Sequence, residues 1–193
     1  MSVLYLPEKL EVGNEKYKIN SDFRPCISIL EIFERNDLSE HEKVQVMVGI
    51  LYEDEIPDID FLEAAEKAVW FLNCGADNSS SSGNGVDYGR IYSWDQDARF
   101  IIPAVDRVLG FSSRRSEHLH WWEFIGAFME IGECTFTTLI HQRKLKKTGK
   151  QTKSDKEWWA ENKGIAELKI EKQLTAEEQD ALNIFNSLLN PNN

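Results

Sequence analysis

The chain has too few basic side chains to balance its acids. Twenty-two Lys and Arg stand against 33 Asp and Glu, a net charge of −11. Nucleic acid and anionic membranes are polyanions, so this deficit makes non-specific binding to either a poor candidate. Cysteine is scarce. Cys26, Cys74 and Cys134 are odd in number and far apart, which fits buried thiols in a reducing compartment rather than a disulfide framework. No apolar run approaches the roughly 18 residues of a membrane span. The opening residues have neither a basic n-region nor a small-residue cleavage site, so the expected location is cytoplasmic.

The motifs of common chemistries are missing too. There is no Cys-x-x-Cys, and His118 and His120 are the only close histidine pair. On a helix, residues two apart point about 200° from each other and cannot share a metal, whereas in the preceding turn they could. The expectation is that one of the two caps or packs near Trp121 and Trp122 and the other is solvated. Lys147 to Thr152 (Lys-Thr-Gly-Lys-Gln-Thr) is only a fragment of a phosphate loop, without its first glycine, its closing Ser/Thr or a preceding strand. There is no Gly-x-Ser-x-Gly and no Cys beside a His. Cys134 opens a helix, but a lone Cys there reads as a small buried residue. Glu53, Asp54, Glu55, Glu130 and Glu133 read as solvated faces or helix ends. The expectation is a protein without catalytic residues, metal or cofactor; an enzyme using His118, His120 and a distant carboxylate is the weakest reading.

What is present is apolar and helical. Hydrophobic residues make up 41 % and aromatics 11 %, with six Trp and ten Phe, enough to build a core. Leu10 and Val12, a Gly13-Asn14 turn, then Tyr17 and Ile19 predict a β-hairpin that pairs Leu10 with Tyr17 and Glu11 with Lys16. A lone hairpin is marginal in water, so it must lie on something. Phe23, Ile27, Leu30 and Phe33/Glu34 then run at helix spacing, with Pro25 in the first turn. A capping box, Ser39 to Glu42, opens a stripe of Val44, Met47, Val48 and Leu51. A third helix turns Phe61, Leu62, Ala65, Ala68, Val69 and Leu72 inward and ends with Gly75 at C′. Residues 76–89 are a Ser/Gly/Asn linker between residues 1–75 and 90–193.

Beyond the linker, Ser93 caps a helix with a stripe of Trp94, Ala98, Ile101, Ile102, Val105, Val108 and Leu109, ended by Gly110. Pro103 should kink it, because the Arg99 carbonyl loses its partner. Leu119 to Ile131 is apolar almost all round, as in the centre of a bundle, with Gly126 admitting a close neighbour. A helix from Thr135 carries Phe136, Leu139, Ile140 and Arg143. Ser154-Asp155 opens a short helix around Trp158 and Trp159, and Thr175 to Glu178 caps a last one. The fold class is mainly α, a helical bundle with a small N-terminal β-hairpin.

Charge reverses along the chain. Residues 1–75 carry seven bases and sixteen acids, whereas the loop 143–156 carries seven bases and one acid. With no aromatics for base stacking before Trp158, an intramolecular or protein partner suits this loop better than nucleic acid. Trp158 and Trp159, in a polar segment, have the character of interface anchors. Trp121 and Trp122 read first as core, with one ring at its boundary. The candidate partner-binding residues are Trp158, Trp159, Trp121, Trp122, Arg143, Lys144, Lys146 and Lys147.

Three blocks together resemble a known family. They are Tyr92 to Ala98 (Tyr-Ser-Trp-Asp-Gln-Asp-Ala) with Ile101, Ile102 and Gly110; Leu119 to Phe124 (Leu-His-Trp-Trp-Glu-Phe); and Thr135-Phe136 with Ile140, Arg143 and Lys144. Trp70 to Gly75 adds to the likeness. The chain resembles the phage gene-product-fifteen family of Gram-positive siphophages and prophages over roughly residues 1–147. The resemblance implies a tail assembly chaperone rather than an enzyme, several copies of which coat the tape-measure protein until the major tail protein polymerises along it. Self-association, residence in the host cytoplasm and absence from the mature virion go with that role. The alternative is a structural tail adaptor or completion protein retained in the virion.

Overall fold

The Gly13-Asn14 turn sets the register of the first element. The computed structural model describes residues 4–76 and 88–169. Strands β1 (Lys9–Val12) and β2 (Glu15–Lys18) pair antiparallel with Leu10 opposite Tyr17 and Glu11 opposite Lys16. Gly13 has φ 61°, a left-handed backbone that suits glycine. Leu10, Val12 and Tyr17 are buried, so one face of the hairpin is core and the other is charged.

Helices α1 (Phe23–Glu34), α2 (Glu40–Leu51) and α3 (Phe61–Leu72) follow. The α2 capping box forms as read: Glu42 N–H donates to Ser39 Oγ, and the Glu42 carboxylate accepts from Ser39 N–H. The inward faces differ in detail. In α1 the buried line is Phe23, Cys26 and Ile29, and Phe33 lies at the surface. In α3 it is Ala64, Ala68 and Phe71, while Leu62 is exposed. A single 3-10 turn at Asp58–Asp60 leads into α3, and Leu62, in the first turn after it, points away from the hairpin-packed side. The C-terminus of α3 also differs. Cys74, not Gly75, holds the left-handed C′ position at φ 55°; its N–H donates to the Phe71 carbonyl and that of Gly75 to the Trp70 carbonyl, a Schellman pair.

Residues 18–23 are a strap between the two halves. On one side Asn20 N–H donates to the Leu51 carbonyl (2.7 Å) and Glu53 N–H to that of Lys18 (3.1 Å). On the other, Phe23 N–H donates to the Leu119 carbonyl (2.9 Å) and Trp121 N–H to that of Ser21 (2.8 Å). Asp22 caps α1 and also accepts from Leu119 N–H, and Arg24 ties down the carbonyls of Ser113 and Ser116.

The second half consists of α4 (Ala98–Leu109), α5 (Trp121–Met129), α6 (Thr135–Thr148) and α7 (Lys153–Ala166). Ser93 caps the turn before α4, accepting from Gln96 N–H, and the helix proper opens at Asp97. Helix α4 continues through Pro103, which lies with Arg99 on the exposed side, where water reaches the freed carbonyl. Helix α5 is shorter than its apolar run and buries Trp121, Phe124 and Ala127. Gly126 faces open space, so no neighbour approaches it closely. Thr152, rather than Ser154, caps α7 through a reciprocal box with Asp155. One hydrophobic cluster runs from Leu10 to Phe136 across both halves; Phe23 stacks on Phe124 with centroids 4.6 Å apart. The helix read from Thr175 and residues 77–87 of the 76–89 stretch lie outside the described residues.

Candidate partner-binding surface

The eight candidate residues do not form one surface. Arg143 is 3 % exposed and Asp97 is fully buried, so the first of the basic residues is corrected from partner-facing to internal. Arg143 grips Asp97 with both Nη atoms, at 2.6 and 3.0 Å. Its Nε donates to the Ala166 carbonyl (2.7 Å), Nη1 to that of Ile91 (3.2 Å) and Nη2 to that of Ile165 (3.1 Å). All five guanidinium N–H groups are thus used within the chain. Asp97 also accepts from Ser93 N–H (3.0 Å). The pair clamps α6, the end of α7 and the segment before α4 together.

Trp121 is 1 % exposed, which agrees with the core role read first for it and removes it from the partner-facing set. A helix leaves its last four carbonyls without intrahelical partners, and α3 solves this with indoles from α5. Trp121 Nε1 donates to the Leu72 carbonyl (2.9 Å) and Trp122 Nε1 to that of Phe71 (2.8 Å). Trp122, half-buried, also meets Trp70 edge-on at 5.6 Å.

Trp158 and Trp159 sit half-buried on α7, whose fully buried side chain is Ala166 alone. Lys146 Nζ lies 3.8 Å from the centre of the Trp159 ring, a cation–π contact. Lys144 lies over Tyr88 at 5.3 Å, and Lys147 donates to the carbonyls of Tyr88 and Arg90. The first half of the basic run is therefore consumed inside the chain, while Lys150, Lys153 and Lys156 remain exposed.

The histidines divide as their spacing requires. His120 is buried and caps α5: Nδ1 accepts from Trp122 N–H (3.1 Å), so Nε2 carries the proton given to the Pro7 carbonyl (3.1 Å). Burial pushes its pKa below the ordinary histidine value. His118 is exposed and reaches Ser21 Oγ at 3.2 Å. No group of three metal-ligating side chains occurs among the described residues. Burial raises the Cys26 thiol strongly and that of Cys74 to about 11, which keeps both as unreactive thiols at neutral pH.

Sequence reasoning missed the acids that organise this part of the molecule. Glu34, at the end of α1, accepts from Ser93 Oγ (2.5 Å) and Trp94 N–H (2.8 Å). It borders an open cleft of about 680 Å³ with Ile32, Ile50, Asp95 and Gln96. Glu31 in that cleft has its pKa raised, by burial first and then by Asp95 and Glu34. The second omission is an aliphatic pair at the head of α3, Ile59 and Leu62, which is 92 % and 78 % exposed. The reversed polarity was legible for Ile59, flanked by Asp58 and Asp60.

No helix among the described residues is long and apolar enough to cross a membrane. No curated protein and no solved structure matches the chain. The family model described as Bacteriophage Gp15 protein matches residues 5–168, which takes in every helix from α1 to α7 and the blocks around Trp94, Trp121 and Phe136. The chain is a member of the bacteriophage Gp15 protein family.

Proposed function

We propose that this phage protein is a non-catalytic tail assembly chaperone that holds the tape-measure protein, and in turn contacts the major tail protein, in the host cytoplasm. The observation that carries the reading is the family match over residues 5–168. The resemblance of the three sequence blocks supplies the tail-assembly role. The α7 ridge suits it: Trp158 and Trp159 are incompletely covered, and Lys146 stands over the second ring. Half-covered aromatics beside cations are suited to shielding apolar stripes of a client helix and then releasing them.

A chaperone leaves before the particle is finished, whereas a tail adaptor or completion protein stays. Mass spectrometry of purified virions and of the tail-assembly lysate separates these two. The expected result is this chain bound to the tape-measure protein in lysate and missing from virions. Stoichiometric retention in virions would overturn the chaperone reading in favour of the structural one. Replacing Trp158 and Trp159 by Ala should weaken client capture with helicity retained.

A further inference from the structure

One face of α1 and the segment before α4 leave a groove between them. Ser28, Glu31, Ile32 and Arg35 stand at positions i, i+3, i+4 and i+7 of α1, so they share one helical face, and that face lines the open cleft of about 680 Å³. A second hollow, of about 490 Å³, continues it past Leu30, Phe33 and Ile91. Glu34 and Arg90 border both. The groove therefore runs beside α1, whose 12 residues make it about 18 Å long. Apolar side chains line the groove without filling it: Phe33 is 36 % exposed, and Ile32 and Ile50 are half-buried. Arg90 gives Nη1 to the Glu34 carbonyl (2.9 Å), while its Nε is buried with no partner among the described residues.

The described chain ends on the rim of this groove. Gln96, on its wall, accepts from Lys169 N–H through Oε1 (2.9 Å) and gives Nε2 to the Glu167 carbonyl (2.7 Å), so the chain leaving α7 is tied there. Residues 170–193 follow. The first of them, 170–174, span at most about 17 Å when extended, a reach close to the length of the groove. From Thr175 the sequence carries a capping box and then the stripe of Leu182, Phe185, Leu188 and Leu189. As a helix, residues 176–189 would be about 21 Å long, again close to that length. A helix this short is marginal in water by itself, so the stripe needs an apolar seat.

We infer that residues 175–190 dock as a helix in the groove beside α1 of their own copy, with Leu182, Phe185 and Leu188 turned to Ile32, Phe33 and Ile50. A short tether gives the end of the chain a local concentration of order millimolar, far above that of a second copy in dilute solution, so the seat is filled in cis. The docked helix braces the end of α7 to α1 and closes the groove to other ligands. This contact needs no client and stands apart from the chaperone reading.

Hydrogen exchange of the purified full chain, read by mass spectrometry, tests it. Amides of residues 176–189 should exchange at least about tenfold more slowly than in an unfolded chain. That protection should be the same at about 1 μM and about 50 μM protein, because a contact within one chain does not depend on concentration. Ser28→Glu/Ile32→Glu puts charge on the seat and should remove the protection, whereas a helix that held itself together would keep it. Ser28→Trp fills the groove by changing one exposed serine and should remove it too; this variant decides where the double one loses wild-type circular dichroism. Reciprocally, Leu182→Asp/Phe185→Asp should speed exchange at residues 90–96. Asn183→Lys, on the side of the helix opposite the stripe, should change neither region. Residues 176–189 unprotected in the wild type, protection that survives the groove variants, or protection that grows with concentration, the mark of docking on a second copy, would each overturn the inference.

Discussion

The α3–α5 seam joins helices distant in sequence, the α6–α7 corner two consecutive ones, and they are held by opposite means. At the seam, Trp121, Phe124 and Phe71 are buried and rings meet from Trp70 through Trp122 to His120, with indole N–H groups closing the end of α3. At the corner, α7 buries one alanine and is held by the carbonyls of Ile165 and Ala166 on the Arg143 guanidinium. Hydrophobic burial is non-directional and tolerates small shifts; a five-bond guanidinium clamp does not. The seam therefore behaves as the stable body of the protein, and the corner as a unit held by polar contacts, with the Arg143–Asp97 clamp, Gln142 on Asp155 and Lys146 over Trp159.

The largest expected effect is at the seam. Trp121→Ala removes a buried ring and reopens the Leu72 carbonyl, and chemical denaturation should show a loss of about 3–5 kcal/mol. Next comes the clamp. Asp97→Ala strands a buried guanidinium and should cost about 3 kcal/mol, toward the low end for a broken buried pair. The contrast is in where the cost appears: hydrogen exchange should rise first at α7 and at residues 91–97, with the amides of α5 protected. Exchange rising equally at α5 would erase the distinction between the two regions.

Acidity should act on the seam through His120. Its folded-state pKa is depressed, so between that value and the unfolded value of about 6.5 the unfolded chain binds more protons. Stability is then full above about pH 6.5 and falls as the pH drops toward the folded value. Protonation would place a hydrogen on Nδ1 facing the Trp122 N–H it now accepts from. Thermal melts across pH 7 to 5 should show this slope, and His120→Asn, which keeps a capping acceptor, should flatten it. The smallest effect is a gain. Gly126 lies within α5 with nothing within 4 Å of an added Cβ, so Gly126→Ala should stabilise by about 0.5–1 kcal/mol.

The hairpin was legible down to its register because the Gly13-Asn14 turn and strict alternation leave one pairing. The helices and the α2 capping box were legible because apolar spacing and a local Ser-x-x-Glu pattern need no distant partner. The inward faces of α1 and α3 were read partly wrongly, since a three-turn helix rich in apolar residues presents two stripes of similar quality. Leu62 was read as inward because the sequence does not say which side the hairpin covers. Arg143 and Trp121 were offered to a partner for the same reason: the groups that bury them, Asp97 and the Leu72 carbonyl, lie 46 and 49 residues away. Tertiary neighbours at that range leave no local signal. Glu34 was placed at helix spacing beside Phe33, but its reach to Ser93 across 59 residues went unread on the same ground.

Co-expression with the tape-measure protein encoded nearby tests the central claim most directly, with soluble yield and co-purification as readouts. The account predicts that the client becomes soluble and travels with this chain, and that Trp158→Ala/Trp159→Ala weakens the pair. A client that stays insoluble and alone beside well-folded wild-type protein would contradict it.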